Sequence, residues 1–287
     1  MRPVPPTPVP EATFELWQHL ARFSASETDT ALNYLQQWMA RQIAAATVIW
    51  IGGLRILRGA AAKNDAFLGW RLRDRVALHP DPAPYRKQLS EYYDSEHYGK
   101  LTPTYYMRSH EPKKDDHIGM DSRASMETNG RFRVHRIRDK DYLDFAKFQK
   151  TPHYERYYRD GGIADRIFIG FPVTPDHESY FMIDRWQAKS RRLFTRAEAT
   201  TVGTAIRGLP QLHRRLFLGN GLLMADKVLS PMERQLLRAL LTGHTETEIA
   251  ASTGRGRATL HKSVLALYAL FDVSSRAALV GLWAGGH

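Results

Sequence analysis

Apolar residues recur at helical spacing in two stretches near the amino end: Phe14, Leu16, Trp17 and Leu20, then Leu32, Leu35, Trp38, Met39 and Ile43. This spacing predicts two core-facing helices within residues 12–45. The period then changes. Residues 47–57 are β-branched and interrupted by Gly52-Gly53, a pair suited to a bulge, and Leu68, Trp70, Leu72 and Val76 alternate with Arg71, Arg73 and Arg75. The alternation predicts a strand with one buried and one cationic face. Residues 85–109 are helix-prone and tyrosine-rich, whereas 110–131 read as a polar, mobile loop. Strand patterns return at 132–137, 167–173 and 180–186, with a helix-like stretch at 141–158 and a turn suited to Gly161-Gly162. From 195 to 217 the positions Val202, Ile206, Leu209, Leu212 and Leu216 are helical, with a kink expected at Gly208 and Pro210.

The carboxy-terminal pattern is a series of short helices with explicit start signals. Ser230-Pro231-Met232-Glu233 places a capping serine, a proline at the first helical position and a glutamate three residues after the cap. Leu236, Leu237, Leu240 and Leu241 follow on one face, and Thr242-Gly243 stops the helix. Thr245 to Glu248 repeats the capping arrangement before Ile249-Ala250-Ala251 and a break at Gly254. After Gly256, Leu260, Val264, Leu267 and Phe271 form an apolar stripe that leaves Arg257, His261, Lys262 and Leu265 on other faces. Ser274-Ser275 then precedes a fourth helix with Ala278, Leu279 and Leu282. Four short helices, with a tight turn between the second and third, predict a helix-turn-helix with one helix appended. The division expected from these patterns is a disordered lead at 1–11, an α/β unit at 12–217, a linker at 218–228 and a helical unit at 229–287.

These residues resemble the carboxy-terminal domain of the LuxR family of transcriptional regulators from Leu229 to Val280. Leu229, Ser230, Glu233, Leu237, Gly243, Thr245, Glu248, Ile249, Ala250, Thr259, Leu260, Leu267, Phe271, Val273 and Arg276 match in ungapped register. The resemblance implies that the third helix enters the major groove of DNA with His261, Lys262 and Leu265. Lys262 could donate to a guanine edge or a phosphate, His261 could meet a purine edge, and Leu265 could cover a thymine methyl or simply pack. Thr245 and Thr259 would meet phosphates at helix starts, with Arg257 beside them. It also implies a homodimer paired through the fourth helix on an inverted repeat, with Leu279, Leu282 and Trp283 as its apolar contacts, and RNA polymerase as a further partner. Met232, Arg255, His261 and Ser263 depart from the family's usual residues and leave the operator sequence open.

The order of elements before residue 217 is similar to the α/β/α sensor domains of the same family, some of which bind acyl-homoserine lactones. Leu89, Tyr93, Tyr98, Thr102 and Pro103 have the spacing of the lactone-binding set. Tyr93 keeps the phenol that the resemblance assigns to the acyl carbonyl. Leu89 stands in place of the tryptophan that donates to the lactone, and Thr102 in place of the carboxylate that accepts from the amide. A site without those polar anchors loses its discrimination for that ligand. The expectation is therefore a different small ligand or a protein signal, with Trp50, Trp70, Tyr93 and Tyr105 as pocket candidates that equally suit an aromatic core.

Composition narrows the picture further. Lys and Arg total 41 against 30 Asp and Glu, which draws a polyanion, and from Arg255 to Phe271 there is no acidic residue at all. Cysteine is absent, so disulfides, thiolate catalysis and cysteine-bound metal are excluded. No apolar run approaches the roughly 20 residues of a membrane span, and the proline-rich start lacks the apolar core of a signal peptide. His110, Asp115, Asp116 and His117 sit in the polar stretch without metal-ligand spacing and read as solvated. No glycine-rich phosphate loop or phosphoacceptor pattern is present. The sequence thus predicts an α+β, two-domain, non-enzymatic transcriptional regulator of the cytoplasm and nucleoid, without cofactor or metal. Its alternative is a ligand-independent regulator whose front unit is a protein-interaction and dimerisation module.

Overall fold

Helices α1 (Glu11–Leu20) and α2 (Thr28–Gln42) form where the periodicity places them and bury Leu16, Leu20, Leu32, Leu35 and Met39, while Phe14 stays largely exposed. A single 3-10 turn at Ala25–Glu27 joins them, and the Ser24 backbone NH donates to the Glu27 carboxylate at 2.9 Å. The computed structural model describes residues 9–65, 67–92, 120–190, 192–224 and 229–284. Five strands follow the opening helices: β1 (Thr47–Arg55), β2 (Trp70–Ala77), β3 (Arg133–Arg136), β4 (Ile163–Thr174) and β5 (His177–Trp186). They pair antiparallel in the order β2-β1-β5-β4-β3. A short helix α3 (Gly59–Lys63) links β1 to β2.

A bulge falls at the glycine pair of β1, but its extra residue, Arg73, is on the partner strand β2. Gly52 faces Asp74 but Gly53 faces Leu72, so the register slips by one residue. A side chain at either position would displace a neighbour: a Cβ on Gly52 would stand 2.4 Å from the Leu222 side chain, and one on Gly53 2.5 Å from the Tyr180 ring.

One face of the sheet is apolar. Val48, Trp50, Ile167, Ile169, Phe181 and Ile183 pack against α1, α2 and two later helices. On the other face the buried groups are largely charged and aromatic. Arg166 on β4 lies opposite Asp184 on β5 and makes two bonds to it, at 2.6 and 2.7 Å. Arg133 is likewise bonded to Glu178. Tyr142, Phe148, Tyr157, Tyr158 and Phe168 pack over these pairs, with contributions from α4 (Ala83–Tyr92), α5 (Met120–Glu127) and α6 (Phe145–Phe148). Helical segments therefore cover both faces of an antiparallel sheet, the mixed α and β class predicted.

Three expectations need correction. The mobile loop at 110–131 is helical over α5, whose buried positions include Asp121 and Ser125; polar residues on the inner face hide the period. The helix-like 141–158 is divided into α6 and one π-helical turn at Tyr154–Arg159. Asp144 caps α6 by accepting from the Lys147 NH at 3.0 Å, and Pro152 has no NH with which to continue it. Part of the cationic face of β2 is buried and paired rather than open. Arg71 is 5% exposed and bonded twice to Asp65, at 2.8 and 2.9 Å, and Arg75 pairs with Asp81 at 2.6 Å.

Helices α7 (Arg196–Arg207) and α8 (Pro210–Gly219) meet at the predicted kink. A Cβ on Gly208 would stand 2.2 Å from Trp17, so glycine lets α1 lie against the bend. His213 on α8 is fully buried, stacked on Phe171 with ring centroids 3.9 Å apart.

The last four helices are α9 (Pro231–Leu241), α10 (Glu246–Thr253), α11 (Arg257–Leu270) and α12 (Arg276–Ala284). Leu229, Leu236, Leu237, Leu240, Ile249, Leu260, Val264, Leu267, Phe271 and Leu279 form their core. Leu218, assigned by the sequence to the linker, is helical and fully buried in this same core. Among the described residues no helix is long and apolar enough to cross a membrane.

Candidate nucleic-acid interface

Capping distinguishes α11 from the helices around it. At α9 the Ser230 hydroxyl accepts from the Glu233 NH at 3.2 Å while the Glu233 carboxylate takes the Ser230 NH at 2.7 Å. At α10, Thr245 and Glu248 make the same reciprocal pair at 3.2 and 2.7 Å, and the bonds that the Glu248 carboxylate accepts from the Thr245 NH and hydroxyl hold its pKa below the usual value. At α12 the Ala278 NH donates to Ser275 Oγ at 3.2 Å. Helix α11 begins at Gly256, with no side-chain cap and no acidic residue in its first turn. Its first backbone NH groups are thus open to an acceptor at the positive end of the helix dipole.

The stripe Leu260, Val264 and Leu267 is buried, which turns Arg257, Thr259, His261, Lys262 and Leu265 to the exposed side of α11. Leu265 is 51% exposed, so it is not part of the packed stripe. Among the described residues Arg257 and Lys262 have no carboxylate partner. Gly254, at φ +66°, closes α10 in the left-handed conformation and makes the tight turn into α11.

Two nominated residues are engaged otherwise. The Thr245 hydroxyl serves the cap of α10, and Glu246 and Glu248 place negative charge at that helix start. A phosphate is less favoured there than at Thr259. His261 Nδ1 lies 3.0 Å from Glu246 Oε2, which leaves Nε2 as the nitrogen available to a partner. The sequence patterns missed this bridge between α10 and α11 because its members lie 15 positions apart on different helices.

The proposed dimer contacts are largely internal. Leu279 is fully buried and Trp283 is 4% exposed, its ring 5.8 Å from that of Phe271. Both fill the core of α9–α12, and the half-buried Leu282 accepts a bond at its carbonyl from Arg214 on α8 at 3.3 Å. A helix this short cannot give the same apolar side chains both to its own core and to a partner; Val280, 40% exposed, stands on the open side.

The aromatic pocket candidates are also core where they are described. Trp50 is fully buried, donates from Nε1 to Ser179 Oγ at 2.6 Å and meets Phe217 edge-on. Trp70 is 1% exposed and covered by the Arg55 guanidinium, 4.9 Å from the ring centroid. Tyr93, Tyr98, Thr102, Pro103, Tyr105, the loop cluster His110, Asp115, Asp116 and His117, and the side chain of Leu89 lie outside the described residues. A separate cavity of about 380 Å³ opens between α1, α2 and the α7–α8 bend, lined by Trp17, Leu20, Ala31, Leu209, Pro210 and Arg215 among others. Neither Trp50 nor Trp70 lines it.

No protein-family model matches the chain, and no curated protein matches it. Among solved structures it is similar to Escherichia coli SdiA, at 12% identity over 95% of each chain and a TM-score of 0.39. It is similar also to SdiA in complex with octanoyl-rac-glycerol, at 12% identity over 96% of each chain and the same TM-score. Likeness at that level does not decide the family.

Proposed function

We propose that the chain is a sequence-specific, DNA-binding transcriptional regulator whose α10, Gly254 turn and α11 act as a helix-turn-helix. The observation that carries this reading is α11 itself. It combines an uncapped N-terminus, an acid-free first turn, two cations with no carboxylate partner among the described residues and an exposed leucine on one side of a packed scaffold. Phosphate suits the open NH groups with Arg257 and Thr259, and base edges suit Lys262, His261 and Leu265. The protein binds an inverted repeat as a homodimer, because two recognition helices related by a two-fold axis match two half-sites about 34 Å apart.

Lys262→Ala is expected to weaken specific binding by about 1–3 kcal/mol if Lys262 reads a base, without loss of folding. Fluorescence titration of a selected duplex over a range of salt checks this. A uniform loss on all sequences with a shallower salt slope would make Lys262 a phosphate contact. Unchanged affinity in a folded variant removes it from the interface.

The amino-terminal unit is the regulatory part, and its signal is a small ligand other than an acyl-homoserine lactone. Leu89 has no donor for a lactone carbonyl, and a neutral Thr102 lacks the charge-assisted strength of a carboxylate. The cavity beside the α7–α8 bend falls in the size range of small-molecule sites, roughly 300–1,000 Å³. Calorimetry against lactones of several chain lengths should show no tight complex, and submicromolar binding of any one of them would overturn the exclusion. The packing of Trp50 and Trp70 inside the core favours a second reading, in which this unit works through protein contacts. Calorimetric binding of any small molecule to the folded chain counts against it.

A further inference from the structure

The two units meet through a tied connection. Leu218 of α8 belongs to the core of α9–α12, and Ala25 and Leu223 pack against that core from the amino-terminal side. Across the connection the Leu229 NH donates to the Asn220 carbonyl at 3.1 Å, and the Asn220 side-chain amide donates to the Leu216 carbonyl at 2.8 Å. Arg234 of α9 then spans both units. Its Nη1 donates to Asn220 Oδ1 at 2.7 Å and to Asp74 Oδ2, on β2, at 3.1 Å.

Asp74 is 1% exposed, and its other oxygen accepts the Arg75 backbone NH at 2.8 Å. Burial raises its pKa, and Arg234 is the cation that opposes this. Among the described residues, the other charges near it are Arg75 on its own strand, engaged with Asp81, and Asp29 of α2, which is itself bonded to Arg238 of α9. The amino-terminal unit thus buries an acid whose countercharge is supplied by the carboxy-terminal unit. Asp74 also faces Gly52 at the register slip, so the contact is made at the irregular point of β2.

We propose that Arg234, Asp74, Asn220 and Leu218 form a rigid coupling that carries the helix-turn-helix as a fixed extension of β2 and α8, so that the conformation of the amino-terminal unit sets the separation of two recognition helices on DNA. A buried carboxylate deprived of its cation is strongly unfavourable, and Leu218 withdrawn from the second core is exposed to water, so separation is opposed from both sides. This inference rests on the DNA-binding reading for its consequence, though not for the coupling itself.

The absence of cysteine makes the test direct, since two introduced cysteines at the exposed positions Glu15→Cys and Ser274→Cys carry the only spin labels. Pulsed electron-electron distance measurement on the full chain should give one narrow distribution. Arg234→Gln should broaden it, and Arg234→Lys, which keeps a charge for Asp74, should keep it narrow. A broad distribution in the parent, or a narrow one in Arg234→Gln, overturns the coupling. On inverted repeats whose half-sites are moved apart by about two base pairs, the parent should lose at least about tenfold in affinity and Arg234→Gln much less. Equal losses in both overturn the claim that the coupling sets the separation. A chain that keeps the narrow distribution but binds no duplex refutes the DNA-binding reading and upholds the coupling.

Discussion

Replacing Arg166 with glutamine should destabilise the amino-terminal unit by about 3–5 kcal/mol, the usual cost of leaving one member of a buried ion pair alone. Arg166 and Asp184 have side-chain exposures of 5% and 1%. The guanidinium is bound at Nε and Nη2 and lies 5.2 Å from the centre of the Tyr158 ring and 5.7 Å from that of Phe168. Burial works against the charge on Arg166, but Asp184 outweighs it and holds the guanidinium well above its usual pKa. Glutamine cannot neutralise Asp184, so the carboxylate stays buried without a cation. The joint change Arg166→Met with Asp184→Leu removes both charges and is expected to be near neutral or stabilising. Urea denaturation of the parent, the single and the double variant separates the cases. A loss below about 1 kcal/mol in the single variant would mean that water reaches the carboxylate, and the pair would then behave as a surface one.

Acid should weaken the same unit through His213. The ring is fully buried between Phe171 and Phe181, and its Nε2 donates to the Ile206 carbonyl at 3.2 Å. Burial disfavours the imidazolium and pushes the pKa from 6.5 down to about 4. Between those values the unfolded chain binds a proton that the folded chain does not, so stability rises with pH across this window and falls as pH drops through it. For this group the slope is about 1.4 kcal/mol per pH unit. His213→Gln should abolish that share of the slope, whatever its effect on stability at neutral pH. Denaturation series on parent and variant across the window give the comparison, and parallel curves would remove His213 as the origin.

The elements legible in the sequence are those whose buried face is apolar and whose ends are marked locally. Helices α9 and α10 satisfy both conditions, with the Ser230 and Thr245 caps where the spacing of Ser, Thr and Glu places them, while α1, α2 and α11 have the apolar face but no side-chain cap. Helix α5 fails the first condition, because Asp121 and Ser125 occupy its inner face. Arg71 fails it in the opposite direction, since an arginine in an alternating strand reads as solvated until Asp65 is brought to it by the fold. In the candidate interface the exposed side of α11 follows from the stripe Leu260, Val264 and Leu267, including the position of Leu265. The fate of α12 does not. A short amphipathic helix has one apolar side whether it packs inward or against a second chain, and only the packed structure puts Leu279 and Trp283 inside. The tie between Arg234 and Asp74 joins residues 160 positions apart and has no local signal of any kind.

The strand order also dictates when the sheet can close during synthesis. Strands β1 and β2 are neighbours in the chain and can pair early, but the second edge of β1 is filled only by β5, with Thr47 opposite Asp184 and Leu54 opposite His177. Contacts of such long sequence separation form slowly. Until β5 has left the ribosome, Val48, Ile49, Trp50 and Ile51 stand on a strand with one open edge, the kind of segment that recruits other chains. Glycines 52 and 53 interrupt that run, and Arg71, Arg73 and Arg75 set positive charge along its early partner. Glycines and cations in and beside such a run are the residues that oppose edge pairing of a nascent strand.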